Sequence, residues 1–357
     1  MIVVGVTSGP CVEAIDVAVC EINGAPPNLR AEVVSALSIP WPIELRKLVL
    51  QAGEPDQITM ADLCLLDVAV GEAFAAGALE GIADAGYYPE QVDLIGMQGQ
   101  TVRHEVREDG HVTASLDLGQ AAIVTEWTGI TTASHFRQRD VAAGGQGAPL
   151  IGYVDWLLLR HPERYRAVHN LDQIASLTLV PPLSMPQAQP IAFDIGPGTI
   201  FIDYAESCLN TTSLGPETGA GSVDERLLAE LMAHPYLRRR PPKTAGQLLF
   251  SKAQADAIWQ EAIAGVLAPA SILETFVAFT VSSTVEALRL FAPVAVDEVI
   301  LGGRGHHYPR LMQHLRAALA PLTILSHEDV GLDSTSKEAL GVAVLARFAV
   351  GNRGGVW

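Results

Sequence analysis

The chain has 357 residues, of which 49% are apolar and 18% charged, and 40 acidic against 23 basic side chains give it a formal net charge of -17. That length favours two lobes over one compact core, and the acidic balance argues against a nucleic-acid partner, whose phosphates it would repel at long range. A nucleotide is not excluded, because backbone N–H groups and a metal ion hold it locally. No apolar run reaches the roughly 20 residues that span a bilayer, so the expectation is a soluble, cytoplasmic protein with no membrane partner.

Residues 2–6 form an apolar run with no basic segment ahead of it, which reads as a strand rather than a signal peptide. Thr7-Ser8-Gly9-Pro10 is a tight turn, and residues 15–20 read as the second strand of a pair. Residues 59–85, rich in Ala, Leu and acidic side chains at helical spacing, predict a long helix. A strand over 92–97 runs directly into Gln98-Gly99-Gln100-Thr101. Asp117-Leu118-Gly119-Gln120 can cap a helix over 121–128 that ends at Gly129, and the β-branched residues 130–133 read as a strand. The glycine-rich residues 142–149 then open a helix through Trp156 and Leu159. Residues 1–135, joined by a C-terminal helix from the segment 337–357, form the expected N-terminal lobe, and residues 136–336 the C-terminal lobe.

The second half repeats the alternation. Strands are expected at 174–180, 190–194 and 297–301, and helices at 224–233, 254–267, 271–291 and 337–348. Arg238-Arg239-Arg240, between prolines, reads first as a solvated loop. Four cysteines show neither metal-ligand spacing nor a disulfide framework; Cys20 and Cys64 are expected in the core, and Cys11, in a turn, toward solvent. Strands alternating with helices in both halves imply an α/β protein.

Three turns that follow apolar strands suit an anion: Ser8 and Gly9, the Gly196-Pro197-Gly198 turn, and Gly302 and Gly303 ahead of Arg304 and Gly305. Glycine lets the backbone approach a ligand and aim successive N–H groups at it. Turns after strands also need glycine for purely local reasons, and no P-loop or dinucleotide fingerprint is present. Asp194 ends an apolar strand just before the second turn, where a carboxylate can serve as a general base or simply cap the turn.

Several stretches resemble, in family order, the anhydro-N-acetylmuramic acid kinase family. They are Gly99-Gln100-Thr101-Val102-Arg103-His104, the fifteen residues 136–150 that begin Phe136-Arg137-Gln138-Arg139-Asp140, the loop 193–198, His234-Pro235-Tyr236, Pro241-Pro242-Lys243-Thr244, and Lys337-Glu338-Ala339. The resemblance implies the two-lobed actin-like fold of sugar kinases and heat-shock ATPases, with ATP and Mg²⁺ in an interlobe cleft, and a homodimer. It also implies an ATP-dependent reaction of peptidoglycan recycling: water opens 1,6-anhydro-N-acetylmuramic acid at C1, and O6 receives the γ-phosphoryl group. Asp194 matches the family's base; Gln100, Thr101, Arg137 and Glu338 match positions expected to face the sugar. Ser8, Gly9, Gly196, Gly198, Gly302 and Gly303 would meet the nucleotide, and Glu13 and Asp16 a Mg²⁺.

The departures from the pattern gather on the nucleotide side. Pro10 stands where a hydroxyl and an N–H are usual, and Glu13 replaces an aspartate. Asp172 and Gln173 replace two glycines, Arg304 replaces a third, and Gln98, His135 and Thr199 stand for His, Asp and Asn. A carboxylate beside phosphate repels it unless a cation intervenes. Two readings therefore stay open: an active kinase, or a catalytically silent relative that binds a sugar or a partner protein.

Overall fold

The computed structural model describes residues 1–9, 11–26, 28–53, 58–211 and 221–351. Pro10, singled out above, lies outside them. The chain divides into two compact units, Met1–Leu158 with Leu332–Trp357, and Leu159–Gly331.

The first unit opens with β1 (Ile2–Thr7), β2 (Ala14–Asn23) and β3 (Arg30–Pro40), then α1 (Ile43–Ala52) and α2 (Met60–Asp84). After these come β4 (Leu94–Met97), the hairpin β5 (Gln100–Val106) and β6 (Val112–Leu118), α3 (Ala121–Thr128), β7 (Thr132–Ser134), α4 (Phe136–Ala142) and α5 (Gly152–Leu159). Its main sheet runs β3-β2-β1-β4-β7. The first three strands pair antiparallel, while β4 and β7 extend the sheet in parallel.

The second unit contains β8 (Arg166–Leu171), β9 (Ile174–Val180), β10 (Ile191–Pro197), α6 (Ile200–Thr211) and α7 (Glu225–Met232). It continues through α8 (Pro235–Arg238), α9 (Gly246–Leu249), α10 (Lys252–Ala264), α11 (Pro269–Phe291), β11 (Glu298–Gly302), α12 (Pro309–Leu319) and β12 (Thr323–Ser326). Its sheet runs β10-β9-β8-β11-β12, again an antiparallel meander whose first strand leads into two parallel ones. The same topology in both units is the duplicated α/β architecture that the resemblance implies. The chain then returns to the first unit as α13 (Lys337–Gly351).

Local chemistry explains the main elements. A capping box between Thr59 and Asp62 starts α2, and Gly129, at φ 72°, stops α3 in the left-handed region. On one face of the first sheet α13 lies so close that a Cβ on Gly5 would sit 1.8 Å from the Ala339 carbonyl oxygen, and one on Gly96 would sit 2.6 Å from that of Val342. Ala339, Ala343 and Ala346 complete that contact as small buried residues. In the second unit α11 is the core helix: Phe276 and Phe279 meet Phe201 there. By length and composition α11 could cross a membrane, but 72% of its most apolar window is buried against the rest of the protein.

Three expectations need correction. Residues 136–158, expected in the second lobe, group with the first unit, because Ile151, Val154 and Leu157 pack into the same core as α13. Asp117 does not cap α3: it lies in β6, and of the stretch 117–120 it is Gln120 that stands at the N-cap, without a side-chain cap bond. Asp67 on α2 holds the stretch, accepting the Gly119 N–H at 2.7 Å and the Gln120 side-chain amide at 2.9 Å. Cys64 is exposed, because the buried stripe of α2 runs through Leu66, Val70 and Phe74.

Candidate active site

Asp194 sits in β10 at a bulge that separates it from Gly196, and only 8% of it is exposed. Its carboxylate is bonded by a distant segment: Thr244 Oγ1–H donates to Oδ2 at 2.8 Å, and the Ala245 N–H donates to the same oxygen at 2.9 Å. Two donors on one oxygen fix the plane of the acid. The backbone is held as firmly, by Asp194 N–H on the Lys243 carbonyl at 3.1 Å and the Tyr236 hydroxyl on the Asp194 carbonyl at 2.8 Å.

Lys243, 1% exposed, braces this arrangement from behind. Its ammonium donates to the Tyr236 and Leu237 carbonyls at 3.0 and 3.3 Å and lies over the Tyr236 and Phe291 rings, 4.5 and 4.9 Å from their centroids. Burial pulls its pKa down to about 8, against the opposing pull of the Asp194 charge. Thr244 and Lys243 escaped the reading of individual residues. The motif that contains them was visible, but nothing local ties it to Asp194.

The turns that follow β10 and β11 meet the turn between β8 and β9 at one end of the second sheet. Gly198 N–H donates to the Gln173 carbonyl and Thr199 N–H to that of Asp172, both at 2.8 Å. A Cβ on Gly198 would lie 1.9 Å from the Asp172 carbonyl oxygen, so this glycine is demanded by the approach of two backbones. Gly303 adopts φ 77° against Asn170 and Leu171, and Gly302 packs on the His327 ring. Gly196 lies against Leu237 and Ser283. Gly198 and Gly303 thus both lie against residues 170–175, at the end of the sheet where ligands of parallel strands bind, while Gly196 and Gly302 have other neighbours.

In the first unit, Gln98, Gln100, His104, Asp117 and Arg137 gather where β5 begins. The Gln98 amide donates to Asp117 Oδ2 at 2.5 Å, and Arg137 Nε lies 3.8 Å from Asp117 Oδ1. Arg137 Nη1 donates to the Gly147 carbonyl at 2.6 Å, and Asp140 shapes that glycine-rich loop by accepting the Gly147 N–H at 2.7 Å. His104 is held neutral at pH 7: burial, then the Arg137 charge, lower its pKa to about 4. Gln98 Oε1 and Gln100 Oε1 are buried with no hydrogen-bond partner among the described residues. Buried acceptors of this kind are normally met by water or by ligand hydroxyls.

The remaining predicted residues are placed as follows. Ser8 is buried and accepts the Trp41 indole N–H at 3.1 Å; the Gly9 carbonyl faces the Gln100 amide at 3.5 Å. Thr101 is half-buried in β5 opposite Asp117, and Glu338 is exposed in the first turn of α13. Beside Glu338, Lys337 forms a buried ion pair with Asp155 at 3.0 Å, which ties α13 to α5 and was not foreseen. Asp16 accepts the Ser38 hydroxyl at 2.5 Å; its pKa is raised by burial first and also by the charge of Glu13. Two carboxylates that feel one another fit the few direct ligands a hydrated Mg²⁺ takes, although no group of three metal-ligating side chains forms among the described residues.

Fold and site together define a duplicated α/β protein whose second unit holds a buried, oriented carboxylate just ahead of a glycine turn. The sequence pattern of the family described as anhydro-N-acetylmuramic acid kinase matches residues 1–355. A protein of that name from Acaryochloris marina is 36% identical over 354 residues, covering 97% of this chain and 92% of its own. One from Gloeobacter violaceus is 37% identical over 349 residues, covering 96% and 90%. The chain belongs to the anhydro-N-acetylmuramic acid kinase family. Among solved structures, a ROK family glucokinase from Streptomyces griseus covers 97% of this chain and 99% of its own at 10% identity and a TM-score of 0.44; a likeness of that size assigns no residue.

Proposed function

We propose that this protein is an ATP- and Mg²⁺-dependent kinase that converts 1,6-anhydro-N-acetylmuramic acid and water to N-acetylmuramic acid 6-phosphate in peptidoglycan recycling. Family membership over residues 1–355, with Asp194 buried and aimed by Thr244 and Ala245, carries the reading. Asp194 takes a proton from the water that attacks C1, the C1–O6 bond breaks, and O6 bonds to the γ-phosphorus as ADP leaves. In such transfers the protein chiefly positions groups and neutralises charge.

Gln100, Thr101, Arg137 and Glu338 meet the sugar. The buried acceptor Gln100 Oε1 suits a sugar hydroxyl, and Arg137 is the nearby cation. Ser8, Gly9, Gly196, Gly198, Gly302 and Gly303 meet the nucleotide. Glu13 and Asp16 would hold Mg²⁺, which would supply positive charge against that of the phosphates. The protein works in the cytoplasm as a homodimer, with no nucleic-acid or membrane partner.

Incubation with Mg-ATP and the anhydro sugar is expected to yield the sugar 6-phosphate, measured by mass spectrometry. In Asp194→Asn the rate should fall by roughly 10²- to 10⁴-fold, the usual worth of a general base. Absence of product together with absence of nucleotide binding by the unaltered protein overturns the reading.

A further inference from the structure

The turn between β8 and β9 carries a carboxylate that the proposed reaction does not use. β8, β10 and β11 all end on the same side of the second sheet. There Asp172 Oδ1 accepts the backbone N–H of Arg304 at 3.0 Å, and Oδ2 accepts the Asn170 side-chain amide at 2.6 Å. The backbone carbonyls of Asp172 and Gln173 take the Thr199 and Gly198 N–H groups, both at 2.8 Å. Donors from both glycine turns are thus drawn onto residues 172 and 173. Turns of this kind ordinarily aim N–H groups at a bound anion; here one of them is aimed at an anion that the chain itself supplies. The Arg304 guanidinium, for its part, lies 3.6 Å from Asp203.

We propose that Asp172 is a specificity-determining residue for the phosphoryl donor, admitting a nucleoside polyphosphate only when a divalent cation neutralises it. The inference rests on the kinase reading for the class of ligand. A fixed negative charge roughly 6 Å from a phosphate weakens binding by about a hundredfold at an effective dielectric near 20, and by less once salt screens it. A cation chelated by the phosphates removes most of that repulsion. The departure from glycine at position 172 therefore acts as a filter against the free nucleotide, and the site as a whole remains open to the metal complex.

Isothermal titration of ADP into the full chain, in EDTA and in excess Mg²⁺, tests this. Asp172→Asn removes the charge and keeps an oxygen for the Arg304 N–H, while its amide nitrogen replaces the acceptor that the Asn170 side chain uses. Metal-free ADP is expected to bind that variant at least tenfold more tightly than the unaltered protein, while Mg-ADP changes by less than threefold. Should Asp172→Asn fail to fold, as judged by circular dichroism, Asp172→Gly must show the same gain for metal-free ADP. Unchanged or weaker binding of metal-free ADP in the folded variants overturns the proposal. Sugar phosphorylation measured in parallel separates the two readings. Turnover with an unaltered metal dependence sinks this inference alone. Binding of Mg-ADP by the variants alone overturns the inference, because the unaltered protein then does not admit the metal complex, and it removes the kinase reading from the unaltered protein as well. Binding by none of the three proteins sinks both.

Discussion

Thr244 touches Asp194 through a single hydroxyl, and that contact separates orientation from binding. Thr244→Val keeps the volume and deletes the 2.8 Å bond to Oδ2. Misaligning Asp194 in its proposed role as general base costs turnover, so kcat is expected to fall about tenfold with KM within twofold, and Thr244→Ser should restore most of the loss. Steady-state kinetics decide it; a raised KM at unchanged kcat would place Thr244 in substrate binding instead. Asp194 could be singled out as a candidate from the sequence because an acid at the end of an apolar strand, ahead of glycines, is a local pattern. Thr244 and Lys243 could not be assigned roles in that way, since their meaning lies in a contact with a residue some fifty positions earlier that only the folded chain creates. Cys64 misled for the opposite reason: its apolar neighbourhood in the sequence is real, but the helix turns it outward.

Three elements are joined through His169, a fully buried ring in β8 whose Nδ1 pairs with the Ser176 carbonyl of β9 at 2.9 Å and whose Nε2 pairs with the Thr284 hydroxyl of α11 at 3.0 Å. Burial lowers its pKa to about 4, so the folded ring is neutral across the physiological range. In the unfolded chain the same ring takes a proton below about pH 6.5. Between those values the unfolded state binds more protons, so the ring's contribution is complete above about 6.5 and drains away as pH falls toward 4. Urea melts at pH 7 and 4.5 are expected to show the unaltered protein losing about 2–3 kcal/mol more than His169→Gln over that interval; parallel losses would remove His169 from the account. At this scale the long helices α2, α11 and α13 were legible through their length and apolar content. The strand β3 was not, because it exposes every second residue and fully buries none, and β8 was not, because His169 and Asn170 interrupt its apolar run.

For the whole molecule the dominant physical quantity is charge. A protein at -17 meets a polyanionic nucleotide across a repulsive long-range field, even where local N–H groups favour contact. Salt screens the long-range part first. The association rate constant for ATP is therefore expected to rise roughly two- to threefold between low and moderate ionic strength, as read by stopped-flow with a fluorescent analogue; a rate that falls with salt would show a local positive field in command. The duplication of the sheets was legible only as alternating strands and helices. Matching strand orders arise from pairing between distant segments, and no internal sequence repeat announces them. The boundary between units fell later than expected for the same kind of reason: α5 belongs where its apolar face finds α13.

That last helix has a consequence for how the protein is made. Gly5 and Gly96 leave a groove on the first sheet that, among the described residues, α13 fills, so the first unit is completed by a segment that follows the whole of the second unit in the chain. The second unit, drawn from one uninterrupted stretch, can complete its core while the first still waits, its sheet open along β1 and β4, for residues 337–351 to emerge. During that interval the nascent chain carries a ready-made apolar face, and chaperone holding of the half-built first unit is the protection such an order of assembly calls for.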